Sequence, residues 1–129
     1  MAFEVLTNLL GTQVAAVDLS AHQYGPVVID TAGKWAVPAA GAVAHGVLLN
    51  KPTAGQVAQV WCIGPIVKVR LVASANIAIG DFLSPNGTTA VFKEAVTTND
   101  KAAVALAASN VAAEVVIPAI FTAGILGVV

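Results

Sequence analysis

Turn residues punctuate this chain so closely that little room is left for helix. From Tyr24 onward, short β-rich runs recur between Gly, Pro, Asn and Asp, the cadence of an all-β barrel or sandwich. "VVID" is followed by Thr31-Ala32-Gly33-Lys34 and "WAV", a hairpin in which Gly33 supplies positive φ. "GVLLN" runs into the turn "KPTAG". "QVAQVWCI" is largely apolar on both faces and reads as a central strand. After Gly64-Pro65, "IVKVRLVA" alternates, with Val67, Val69 and Leu71 on one face and Lys68 and Arg70 on the other, as a half-exposed strand should. Gly80-Asp81 and Pro85-Asn86-Gly87 mark two further turns, and "AVALAAS" and the segment Glu114 to Phe121 complete the strands.

The expected architecture is one small β-barrel or β-sandwich domain over residues 23–129, preceded by an N-terminal arm or extra element over 1–22. A length of 129 residues suits a single core. The first twenty residues carry Phe3, Leu6, Leu9 and Leu10 near helical spacing until Gly11 interrupts. They form a short helix, an added strand, or an arm ordered against a neighbour.

Composition bears on partners. Charged residues make up 10% of the chain and hydrophobic residues 57%, with a mean hydropathy of +0.84. An ordinary soluble domain carries about 25% charge, so this surface is short of it. Much of the apolar excess is Ala and Val, which favours an oligomer or a member of a larger assembly. A formal net charge of -1 and dispersed Lys and Arg residues argue against nucleic acid. No basic segment precedes the N-terminal apolar residues, and "VVIPAIFTAGILGVV" is too short and too broken to cross a bilayer, so no membrane partner is expected. Cys62 is the single cysteine, which fits a reducing cytoplasm and forms no internal disulfide.

Chemistry is hard to find. His22 and His45 lack metal-ligand spacing, and Cys62 lies in an apolar run with no cation beside it. Asp18, Asp30, Asp81 and Asp100 sit at turns, where carboxylates accept local N–H groups. Trp35 and Trp61 read as core or interface residues rather than stacking platforms. No catalytic residue, metal or cofactor is expected. One alternative carries chemistry: "TNDKAAVAL" is similar to the hairpin tip of lipoyl or biotinyl carrier domains, with Lys101 as the attachment site, although a whole Pro-Asn-Gly hairpin separates it from Gly80-Asp81.

The order "AHGVLLNKPTAGQVAQVWCIGPIVKVRL", "ANIAIGDFLSPNG", "KAAVALAAS" resembles the small capsid cement or decoration proteins of tailed bacteriophages, over about Gly46 to Ser109. That resemblance implies a β-rich structural protein, assembled as a trimer, that binds the outside of the head and clamps neighbouring major capsid subunits. On this reading the protein is made in the host cytoplasm and resides on the outer capsid surface. Phe3, Leu6, Leu9 and Leu10 are then the expected capsid contacts, and Trp61, Ile63, Val116 and Ile120 the expected subunit interface. Removal of residues 1–20 is expected to end capsid binding while leaving the domain whole.

Overall fold

The computed structural model describes residues 13–62, 64–87, 91–96 and 101–121. Within them the chain is all-β, in two sheets. The strands are β1 (Pro26–Ile29), β2 (Trp35–Ala36), β3 (Gly46–Leu48), β4 (Val60–Trp61), β5 (Gly64–Leu71), β6 (Phe82–Pro85), β7 (Phe92–Glu94), β8 (Ala103–Ala105) and β9 (Val115–Phe121).

The first sheet has the order β2-β1-β3-β4, every neighbour antiparallel. Its first hairpin is the one the "VVID…WAV" pattern predicts. Asp30 Oδ1 accepts the N–H groups of Ala32 and Lys34, both at 2.9 Å, and Gly33 has φ of 75°. β3 is buried on both faces and is the central element here. The run "QVAQVWCI" differs from its expectation: its described strand is Val60–Trp61 alone, at the edge of this sheet, with Val57 in an isolated bridge. Its Ala58 and Val60 are buried, while Val57 and Gln59 are exposed. The Asn50 side chain bonds the Val57 carbonyl and the Gln59 N–H, which takes those backbone groups out of the ladder.

Residues 13–22 belong to this sheet. Val14 bridges Val57, Ala15 bridges Trp35, and Leu19 is fully buried. The segment thus lies between the β2 edge and the stretch that leads into β4, with Ala15 N–H donating to Gln56 O and Trp35 N–H donating to Val14 O. Residues 1–12, which carry the rest of the N-terminal arm or extra element, lie outside the described residues.

The second sheet has the order β5-β7-β6-β8-β9, and β9 returns to pair with β5. The long step is β5 with β9, antiparallel over seven residue pairs from Gly64–Phe121 to Leu71–Val115. The β5–β7 step is one parallel pair, Leu71 with Phe92, so the roll closes through a single short contact. Val67, Val69, Leu71, Leu83, Phe92, Ala103, Ala105, Ile117, Ala119 and Phe121 point inward and form the main core with Ala44, Val47, Ile77 and Ala102. Ala15, Leu19, Val27, Trp35, Leu48, Ala58 and Val60 form a second core under the small sheet.

Tyr24 joins the two sheets. Its N–H donates to Leu48 O at 2.7 Å and its carbonyl accepts the Arg70 N–H at 2.8 Å. These bonds hold it at φ of 66°, a left-handed conformation uncommon for a bulky residue.

Candidate functional site

Alternation along β5 turns Ile66, Lys68 and Arg70 outward, and along β9 it turns Val116, Pro118 and Ile120 the same way. Register then assembles a feature that no single strand carries. Ile66 pairs with Ile120, Ile120 with Val104, and Val104 with Phe82, giving one apolar row across β5, β9, β8 and β6 on the outside of the roll. Ile66 is 67% exposed, Ile120 38% and Phe82 37%. Pro118 lies opposite Lys68 and Val116 opposite Arg70, which extends the apolar surface below the row. Single exposed apolar residues are ordinary; a contiguous patch of them marks a surface meant to be covered.

The polar groups of this face are few. Arg70 Nη1 donates to Ala21 O at 2.7 Å and lies 3.7 Å from Glu114 Oε2, so its charge is engaged within the chain rather than simply solvated. Lys68 Nζ stands 5.9 Å from the Tyr24 ring centroid. Tyr24, Lys68, Val116, Ile117 and Pro118 line a shallow cleft of about 480 Å³ here. At the other end of the row, Lys101 Nζ lies 4.3 Å from the centre of the Phe82 ring.

Of the residues named for an interface, Val116 and Ile120 stand together on this face. Trp61 belongs to the small sheet and packs, half-buried, against the main core. Ile63 lies outside the described residues, as do the capsid-contact residues Phe3, Leu6, Leu9 and Leu10. Ile66, Val104 and Phe82 carry no local signal of a shared row; the one available is the outward half of the β5 alternation, where Lys68 and Arg70 follow Ile66.

The remaining candidates for chemistry take structural positions. Asp81 Oδ2 accepts the Ala78 N–H at 2.7 Å and Asp18 Oδ1 the Ser20 N–H at 2.9 Å, closing turns. The Ser20 hydrogen bonds hold the Asp18 carboxyl below its ordinary value. His45 Nδ1 accepts the Ile29 N–H at 3.0 Å. Burial pushes the Cys62 thiol up, away from the thiolate a nucleophile needs. Trp35 is 3% exposed and so is closed to any stacking ligand. Among the described residues, no three of His, Cys, Asp and Glu gather as metal ligands. The strands on either side of Lys101, β7 and β8, both pair with β6 rather than with each other, unlike the two arms of a carrier hairpin. A scan against protein-family models and a search of curated proteins find no match to the chain.

Proposed function

We propose that this chain is a structural virion protein that decorates the outer surface of a tailed-phage head, bridging and stabilising major capsid subunits as a homotrimer. The reading is non-catalytic: its work is the covering of apolar surface, at about 25 cal/mol per Å² removed from water. The observation that carries it is the apolar row Ile66, Ile120, Val104 and Phe82 on the outside of the roll, exposed except at the half-buried Val104. A charge content of 10% supports it, because a free monomer with so few charges and such a patch is poorly protected from association. The likeness of Gly46 to Ser109 to capsid cement proteins supplies the partner.

The test is co-sedimentation of the purified protein with expanded heads assembled from the major capsid protein of the same genome. Saturable binding at a fixed ratio to capsid subunits, with heads that resist heat better when decorated, is the expected outcome. Heads that sediment bare at saturating protein would overturn the proposal. Intact-mass analysis of protein from cells separates it from the carrier reading, in which Lys101 bears a lipoyl or biotinyl adduct.

A further inference from the structure

Pro85-Asn86-Gly87 opens a loop rather than closing a two-residue turn. β6 and β7 meet at Pro85 and Phe92, and the Asn86 N–H donates to Val91 O at 2.9 Å across that loop. Gly87 holds φ of 115°, and a Cβ on it would stand 2.9 Å from Ala40 Cβ and 3.0 Å from Ala40 N, so the fold requires glycine there. The Gly41 N–H donates to Pro85 O at 2.8 Å, which seats the 37–42 stretch between β2 and β3 on the start of the loop. The two sheets are thereby joined at a second place besides Tyr24. A shallow cleft of about 480 Å³ runs along this joint, lined by Val37, Pro38, Ala39, Ala40, Asn86 and Gly87, and Asn86 alone among them has a polar side chain.

An asparagine that precedes glycine is open to attack by its own backbone, because no Cβ crowds the nitrogen that must reach the side-chain amide carbon. The other described asparagines are shielded from that reaction. Asn50 has its carboxamide held at both ends, Nδ2 donating to Val57 O at 3.1 Å and Oδ1 accepting the Gln59 N–H at 3.0 Å. Asn76 precedes the β-branched Ile77, whose N–H is committed to Ser109 O at 2.8 Å. Asn110 precedes the β-branched Val111. Asn86 is half-buried and lies outside the strand ladder, and among the described residues neither its carboxamide nor the Gly87 N–H has a hydrogen-bond partner.

We propose that Asn86 is a self-modification site, at which spontaneous deamidation places a negative charge and a lengthened backbone in the joint between the two sheets. The Gly87 backbone nitrogen attacks Asn86 Cγ; a new N–Cγ bond forms, Nδ2 leaves as ammonia, and the proton of the Gly87 N–H passes through water to the leaving nitrogen. The resulting cyclic imide takes up one water. Opening at Cγ gives an ordinary aspartate, and opening at the main-chain carbonyl gives an isoaspartate whose backbone runs through the side chain and is one carbon longer. Water enters, ammonia departs, and nothing is oxidised or reduced. The new carboxylate sits in an otherwise apolar cleft, where a charge is poorly solvated. The added carbon displaces Gly87 from the close fit against Ala40. The inference stands apart from the decoration reading and does not rest on it.

The experiment is timed incubation of the folded full chain at neutral and mildly alkaline pH, followed by digestion at acidic pH and peptide mass mapping with isoaspartate detection. The Asn86 peptide is expected to gain the mass of an amide-to-acid exchange, as a mixture of aspartate and isoaspartate, at least about tenfold faster than the peptides of Asn50, Asn76 and Asn110 in the same digest. The rate rises with pH, since the attacking nitrogen gives up its proton. An Asn86 that reacts no faster than Asn76 and Asn110 overturns the site. So does an Asn86 that reacts in urea-unfolded chain but stays intact in the folded protein. The effect on the joint is read from thermal melting. Aged parent is expected to melt below fresh parent, whereas Asn86→Gln, which would have to close a larger and slower ring, melts the same fresh or aged. Fresh Asn86→Asp carries the charge without the extra carbon and is expected to fall between fresh and aged parent. Aged, deamidated parent that melts with the fresh protein would show that the joint does not feel the change, and would overturn that part of the proposal.

Discussion

Gly46 opens β3 where the backbone passes against β4, and a Cβ there would run into the Val60 side chain and stand 3.0 Å from the Trp61 carbonyl oxygen. The side chain can turn aside only by leaving its place in the small-sheet core, and the carbonyl cannot move without breaking the β3–β4 pairing. Gly46→Ala is therefore expected to cost about 1–3 kcal/mol, the range for overpacking a well-filled interior. Urea unfolding checks it: a lowered midpoint with an unchanged slope is the expected result, and an unchanged midpoint would show that β4 yields freely. The opposite logic applies at Pro118, in the middle of β9. Its carbonyl accepts the Leu106 N–H at 3.0 Å, so its backbone faces β8 rather than β5, and the missing N–H breaks no bond of the long β5–β9 ladder.

At the scale of elements, the segment from Gln13 to Ser20 matters more than its position near a terminus suggests. It pairs with Val57 and Trp35, fills the second core with Ala15 and Leu19, and receives hydrogen bonds from Gly55 and Ala58. Deleting residues 1–20 is thus expected to unfold or strongly destabilise the small sheet, contrary to the arm reading in which the domain stays whole. Loss of the Leu19 side chain alone is a Leu deletion from a core, worth about 2–5 kcal/mol. Circular dichroism melting of the truncated chain measures it, and a melting temperature equal to the parent's would return these residues to the status of an arm. Alternation made β5 and β9 legible because their inward residues are Val, Leu, Ile, Ala and Phe and their outward ones include Lys, Arg and Pro. The "QVAQVWCI" run misled because apolar content on two faces looks alike whether a strand lies between neighbours or at an edge covered by a distant segment. The apolar outer face was half legible: Val116 and Ile120 follow from spacing within one strand. Their alignment with Ile66, Val104 and Phe82 is a property of register between strands far apart in sequence, which no local pattern encodes.

The whole molecule holds two cores, and β3 decides whether they act as one. Val47 points into the main core and Leu48 into the small-sheet core, both fully buried on adjacent residues of one strand. Tyr24 adds backbone bonds to β3 on one side and β5 on the other. Neither core can loosen without exposing a residue that the other side of β3 needs in place, so a single cooperative unfolding transition is expected. Two natural reporters make this measurable, since Trp35 sits in the small-sheet core and Trp61 packs against the main one. Each indole N–H is buried without a hydrogen-bond partner, so replacing either ring by Phe sacrifices no hydrogen bond. In Trp35→Phe the fluorescence then reports the contact of β4 with the main core, and in Trp61→Phe the interior of the small sheet. Once each curve is referred to the far-UV circular dichroism of the same variant, fluorescence and dichroism are expected to share one urea midpoint in both. A fluorescence transition that precedes the dichroism in Trp61→Phe would mean that the small sheet melts by itself. Val47 and Leu48 would then be neighbours in sequence without being partners in stability.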